Sequence, residues 1–135
     1  MHTILLVNDS ATLTKVLSAH FESAGITVVA VSDMLSAYQA FIRHDVDLIL
    51  TDYIVGECEG VELVEVVRAK RAQADLPIVI FTAMEDEATA ERCRAAGANL
   101  VLAKSHGTDQ LLGRIEGLIE DYKSNLPGFS LDQDM

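Results

Sequence analysis

The segment DLILTDY, residues 47–53, is an apolar run of strand length that ends on a carboxylate. Continuous runs of Leu, Ile and Val are typical of strands buried on both faces, which lie at the centre of parallel sheets. In open α/β sheets, ligands bind at the edge formed by the carboxyl ends of the strands. Asp52, the last residue of this run, is therefore either a turn residue or part of a functional site.

Similar apolar runs occur before and after this segment, and each is followed by residues with helical spacing. The predicted strands are residues 2–7, 26–31, 47–52, 77–82 and 99–103. A strand–helix order repeated five times predicts one α/β domain, a doubly wound parallel sheet with helices on both faces. We assign residues 1–123 to this domain and residues 124–135, which contain Pro127 and Gly128, to a flexible tail or linker.

Composition excludes several classes of protein. No apolar run approaches the roughly 20 residues that a membrane span needs. No basic segment followed by an apolar run stands at the start of the sequence, so we expect no signal peptide. The formal net charge of −11 over 135 residues repels nucleic acid and anionic lipid, so we expect no direct binding to either. Two cysteines without C-x-x-C spacing, Cys58 and Cys93, favour a reducing compartment and therefore the cytoplasm.

Polar residues stand at the carboxyl ends of four predicted strands: Asn8 and Asp9, Asp52, Thr82 and Lys104. Because these ends converge at one sheet edge, two carboxylates, a hydroxyl and an ammonium would line one cleft. Carboxylates with water are the ligands that Mg²⁺ prefers. Lys and Thr beside them suit a phosphoryl group.

With these positions, the sequence resembles the receiver domain of two-component response regulators, over residues 3 to about 122. The residues that carry the resemblance are Asp9, Asp52, Gly60, Thr82-Ala83, Gly97-Ala98 and Lys104. The resemblance implies a flavodoxin-like fold with strand order 2-1-3-4-5. It also implies a signalling switch whose only chemistry, phosphotransfer and autodephosphorylation, is on itself, and therefore not an enzyme in the usual sense.

The resemblance implies roles for the metal-binding positions. Asp9, Asp52 and the backbone carbonyl of Ile54 would hold Mg²⁺ or Mn²⁺. The family usually has an acid where this chain has Asn8, so Asn8 would act through water and metal binding would be weaker.

It implies roles for the phosphoryl-binding positions too. Asp52 would take the phosphoryl group from a phosphohistidine on a sensor histidine kinase or a histidine phosphotransfer protein. Lys104, the Thr82 hydroxyl and the Ala83 amide would bind its oxygens. Movement of Thr82 would then change the face formed by the fourth helix, fifth strand and fifth helix, where a downstream protein or output domain binds.

Three further departures from the family bear on output. Ser105 replaces the proline after Lys104, so we expect a trans peptide there, since a cis non-proline bond costs about 3–4 kcal/mol. Val101 stands at the position of the switch aromatic and has no ring to rotate. Val55-Gly56 replaces the common Met-Pro. The sequence does not identify the cognate kinase, and a homodimer is possible. It also leaves open whether the receiver stands alone or belongs to a longer protein.

Three other functions are compatible with the predicted sheet. A pseudo-receiver would bind proteins constitutively without phosphorylation. An aspartyl-phosphate phosphatase would carry a second Asp two residues after the nucleophile, where this chain has Ile54. A flavin binder would have a Ser/Thr/Gly phosphate loop after the first strand, where Asp9 places a negative charge. Phosphorylation of Asp52 separates the first alternative from the leading hypothesis.

Overall fold

Strands and helices alternate along the described part of the chain. The computed structural model describes residues 2–72, 75–83, 86–104 and 108–125. The elements are β1 (Thr3–Val7), α1 (Ala11–Ser23), β2 (Thr27–Val31), α2 (Met34–Arg43), β3 (Leu48–Asp52), β4 (Ile54–Val55), β5 (Cys58–Glu59), α3 (Gly60–Arg68), β6 (Ile78–Thr82), α4 (Glu87–Ala96), β7 (Leu100–Ala103) and α5 (Thr108–Asn125).

Five of the strands form one parallel sheet in the order β2-β1-β3-β6-β7. Since β6 and β7 are the fourth and fifth strands of this sheet, the observed order is the predicted 2-1-3-4-5. The flavodoxin-like α/β prediction is therefore confirmed, and β3 lies at the centre of the sheet as its apolar sequence indicated.

The central strands bury both of their faces, because alternate side chains enter two separate cores. Leu5 and Ile49 contribute to a core with α2, α3 and α4, whereas Leu6 and Leu50 contribute to a core with α1 and α5. This two-sided burial explains why Leu48, Ile49 and Leu50 of β3 follow one another without an intervening polar residue.

Side chains at the helix starts cap three of the helices. Ser10, Asp33 and Asp86 each accept a hydrogen bond from the backbone N–H three residues later, which satisfies a donor that has no partner within the helix. Gly97, with φ of 120°, ends α4 in a conformation that few other residues adopt.

The segment after β3 differs from the prediction. No strand is predicted between residues 52 and 77, but β4 and β5 pair there as a short antiparallel hairpin. Gly56 and Glu57 form its two-residue turn, and Gly56 has φ of 63°. Hairpin turns of this length need a positive φ, which Gly provides without strain.

The last helix extends to Asn125, two residues beyond the predicted domain boundary. Residues 126–135 lie outside the described residues, so the predicted tail stays a prediction. Ser105 and its peptide bond to Lys104 also lie outside them. Within the described ranges, no helix is long and apolar enough to cross a membrane.

Candidate functional site

The strand register brings three predicted site residues together at one edge of the sheet. Asp52, the last residue of β3, pairs with Phe81 of β6, so Thr82 is one residue further along the neighbouring strand. Thr82 pairs in turn with Ala103 of β7, which Lys104 follows directly. Neighbouring strands are about 4.8 Å apart, so these side chains lie within one small area.

Lys104 contacts Asp52 directly. The Nζ atom lies 2.7 Å from Oδ2 of Asp52, and the side chains are 31% and 10% exposed. The ammonium also lies over the ring of Phe81, 5.5 Å from its centroid, where the negative face of the ring attracts a cation. The Phe81 ring and the Asp52 carboxylate therefore orient the Lys104 side chain toward the site. They do so although Ser105 replaces the proline that usually follows this lysine in the family.

The backbone of Asp52 is held as closely as its side chain. The Thr51 hydroxyl, which is fully buried, donates to the Asp52 carbonyl at 3.0 Å. Gly60, the first residue of α3, packs so tightly on the same carbonyl oxygen that any Cβ at residue 60 would collide with it. Gly60, which was part of the sequence resemblance, is therefore required sterically.

Asp9 and Asn8 occupy the loop between β1 and α1. One carboxylate oxygen of Asp9, Oδ2, accepts the Gly56 N–H of the hairpin turn at 2.9 Å. Asn8 is only 3% exposed, and its Oδ1 accepts the Ser10 N–H at 2.7 Å. The loop between β1 and α1 is thus ordered by its own side chains, and the Asp9 carboxylate is directed to the hairpin.

The hydrogen bonds around the hairpin show which way the Ile54 carbonyl points. Hydrogen-bonded and non-hydrogen-bonded pairs alternate along antiparallel strands. The Gly60 N–H donates to the Tyr53 carbonyl at 2.6 Å, and the Glu59 N–H donates to a side chain instead of the ladder. The Ile54–Glu59 pair is therefore a non-hydrogen-bonded one, and the Ile54 carbonyl points away from the ladder.

These donors fit a small divalent cation of the Mg²⁺ type. They are oxygen atoms: the Asp9 and Asp52 carboxylates and the Ile54 carbonyl, with Lys104 occupying one oxygen of Asp52. The described ranges contain no group of three His, Cys, Asp or Glu side chains placed to hold a metal. With so few protein oxygens as ligands, a cation would keep several water ligands, as Mg²⁺ usually does in proteins.

The remaining predicted positions lie around this centre. Thr82 is 2% exposed at the end of β6, and Ala83 follows it at the surface. Val101 of β7 is partly buried and packs against the core beneath α2, α3 and α4. Val101 therefore lies on the same sheet face as α4.

One residue of α4 that the sequence analysis did not single out contacts the segment that follows Asp52. Arg92 donates to the Tyr53 hydroxyl at 3.0 Å and pairs with the Glu59 carboxylate at 2.5 Å. The hydrogen bond from Arg92 lowers the pKa of Glu59, and the pair with Glu59 raises the pKa of Arg92. No local sequence pattern indicates these contacts of Arg92, because its partners are more than 30 residues away in the sequence.

The sequence matches the family description "Response regulator receiver domain" over residues 4–116. This chain belongs to that family. The receiver domain is 30% identical over 117 residues to the transcriptional regulatory protein GltR of Pseudomonas aeruginosa. The match covers 87% of this chain and 48% of GltR. The receiver domain thus spans about half the length of the curated relatives it matches.

Solved structures share the receiver fold. A two-component response regulator from Clostridium difficile superposes with a TM-score of 0.84 at 18% identity, covering 92% of this chain and all of the other. The response regulator TrrA of Thermotoga maritima, in complex with Mg²⁺ and BeF, superposes with a TM-score of 0.75 at 23% identity, covering 87% and 99%. At these identities the likeness establishes the fold.

Proposed function

We propose that this receiver domain accepts a phosphoryl group on Asp52 from a phosphohistidine, in a reaction that requires Mg²⁺ or Mn²⁺. The donor would be a sensor histidine kinase or a histidine phosphotransfer protein. The observation that carries the proposal is the 2.7 Å contact between the Lys104 ammonium and the Asp52 carboxylate at the carboxyl ends of the strands. A lysine held there faces the phosphoryl oxygens once the carboxylate is modified.

In the proposed reaction, the carboxylate oxygen of Asp52 attacks phosphorus. The new O–P bond forms as the P–N bond to imidazole breaks, and the imidazole nitrogen keeps the electron pair and takes a proton. Lys104, the Thr82 hydroxyl and the Ala83 amide bind the phosphoryl oxygens, the first by charge and the others as donors. Attack by water on phosphorus would later return free Asp52 and inorganic phosphate.

The cation would be held by the Asp9 and Asp52 carboxylates and the Ile54 carbonyl, with Asn8 acting through a water molecule. When bound, it offsets the negative charge of the phosphoryl oxygens and lets a dianion approach a carboxylate. The TrrA complex with Mg²⁺ and BeF supports this ligand class for the fold. With Asn8 in place of an acid, the site offers two carboxylates, which predicts weak binding.

The output face would be formed by α4, β7 and α5, and it would bind a downstream protein or an output domain. Thr82 lies at the start of the segment that leads into α4, so its movement toward the phosphoryl group would be transmitted there. Val101 has no aromatic ring to rotate. We propose the cytoplasm as the compartment, which the unpaired Cys58 and Cys93 support.

The test is intact-protein mass after incubation with phosphoramidate, a small donor that carries the P–N bond of a phosphohistidine. We expect wild type with Mg²⁺ to gain the mass of one HPO₃ group, and Asp52→Asn or added EDTA to abolish the gain. Asp47→Asn is the matched control, because Asp47 precedes the same strand and its carboxylate accepts the Thr3 N–H at the opposite edge. A folded wild type that gains nothing would refute the proposal.

A further inference from the structure

Arg92 of α4 connects to both ends of the hairpin that follows Asp52. Its Nη1 atom donates to the hydroxyl of Tyr53, which precedes the hairpin, and its Nη2 atom pairs with Glu59, the last hairpin residue. Tyr53 is a firm anchor, because it is 6% exposed and packs in the core under α2, α3 and α4. One guanidinium therefore holds the start and the end of a segment of seven residues.

The hairpin is the part of the candidate cation site that is not built on the sheet. It carries the Ile54 carbonyl, and its Gly56 N–H fixes the Asp9 carboxylate. Two of the proposed protein ligands therefore depend on where the hairpin lies. Asp52, by contrast, is fixed by the strand register and by Gly60.

We propose that Arg92 is a positioning residue for the divalent cation: it holds the hairpin so that the Ile54 carbonyl and the Asp9 carboxylate face the same site as Asp52. The proposal rests on the proposed function. Groups that orient metal ligands without touching the metal commonly matter 10- to 100-fold for affinity. Here the Arg92–Glu59 pair is partly exposed and screened, so we expect a loss of about three- to ten-fold when it is removed.

The direction in which cation affinity changes on removal of Arg92 distinguishes positioning of the ligands from a purely electrostatic effect. Removal of a positive side chain near an anionic site raises its affinity for a cation, so electrostatics alone predicts tighter binding in Arg92→Met. Arg94 supplies the matched control, because it lies on the same helix and pairs with the exposed carboxylates of Glu87 and Glu91 instead of the hairpin. Arg94→Met makes the same change in charge without loosening the hairpin.

Because Arg92 belongs to α4, the same contacts connect the cation site to the proposed output face by a route that does not use Val101. By linkage, a partner that displaces α4 would weaken cation binding, and cation binding would oppose the displacement.

The experiment measures two quantities on wild type, Arg92→Met, Tyr53→Phe and Arg94→Met. The first is the affinity for Mn²⁺ alone, from the loss of the free-ion electron paramagnetic resonance signal. The second is hydrogen exchange of the Gly56 and Gly60 amides in the absence of metal, which reports directly on the hairpin. Tyr53→Phe removes only the phenol oxygen and keeps the packed ring.

We expect Arg92→Met to weaken Mn²⁺ binding by about three- to ten-fold and to speed exchange at both amides, with Tyr53→Phe intermediate and Arg94→Met like wild type or slightly tighter. Arg92→Met that behaves like Arg94→Met in both measurements would overturn the proposal. If wild type binds no Mn²⁺, the proposed function fails, together with the claim of cation positioning. In that case, hydrogen exchange at the Gly56 and Gly60 amides still shows whether Arg92 holds the hairpin.

Discussion

Gly60→Ala is expected to destabilise the protein by forcing the backbone of Asp52 to move. A Cβ at residue 60 would overlap the Asp52 carbonyl oxygen and lie 3.4 Å from the Thr51 Cγ2 atom. The overlapped group is backbone in the central strand, so it cannot rotate away as a side chain would. The substitution therefore tests whether the packing of α3 on β3 fixes the site.

Two opposing effects set the magnitude. Overpacking costs about 1–3 kcal/mol, whereas Ala is favoured over Gly inside a helix by about 1 kcal/mol. Because the overlapped atom belongs to the backbone, the cost of overpacking should lie in the upper half of that range, about 2–3 kcal/mol. We therefore expect a net loss of about 1–2 kcal/mol in the free energy of unfolding. For 135 residues this corresponds to a fall in Tm of about 4–7 °C.

The assay is urea denaturation followed by circular dichroism, with Gly113→Ala as the matched control. Gly113 lies within α5, and a Cβ there would meet nothing within 4 Å. The same chemical change should raise stability by about 0.5–1 kcal/mol at that position. If Gly60→Ala also proves stabilising, the inferred contact with Asp52 is wrong.

Two further predictions concern helix ends. The backbone N–H and hydroxyl of Thr89 donate to the Asp86 carboxylate and lower the pKa of Asp86 below its ordinary value of 3.8. The charged cap therefore stabilises α4 fully above about pH 4, and this stabilisation is lost as the pH falls through the lowered pKa. Asp86→Ala should therefore have a lower Tm than wild type at pH 7, and this difference should shrink in acid; a difference independent of pH would contradict the assignment. Arg68, the last residue of α3, donates to Oδ1 of Asn99 at 2.7 Å and to the backbone carbonyls of Leu76 and Gly97. Arg68→Met should therefore lower the free energy of unfolding, measured by urea denaturation, by about 2–4 kcal/mol. Arg94→Met, which breaks only exposed ion pairs, should change stability by less than about 1 kcal/mol; equal losses in the two variants would refute the role of Arg68.

The sheet could be predicted because its strands are buried on both faces. Such strands are continuously apolar, so β3 and β6 stand out in the sequence, and the residues at their ends follow from the parallel arrangement. Helix starts of this kind have a local signal in the sequence, because Ser10 and Asp33 each cap the helix that begins at the next residue.

The hairpin and its connection to α4 could not be predicted in the same way. The strands β4 and β5 have two residues each, which is too few to show a period of two. Phe81 reads as an ordinary core residue, although its ring also lies beneath Lys104. Contacts of this kind join distant parts of the chain and leave no local pattern.

A chemical label can identify which residue carries the phosphoryl group. After phosphorylation with phosphoramidate and Mg²⁺, borohydride reduces an acyl phosphate to homoserine, and peptide sequencing by mass spectrometry then locates it. We predict homoserine at residue 52, with Asp9 and Asp47 unchanged. Homoserine at another position, or unmodified Asp52 in a protein that had gained the phosphoryl group, would contradict the assignment of Asp52 as the acceptor.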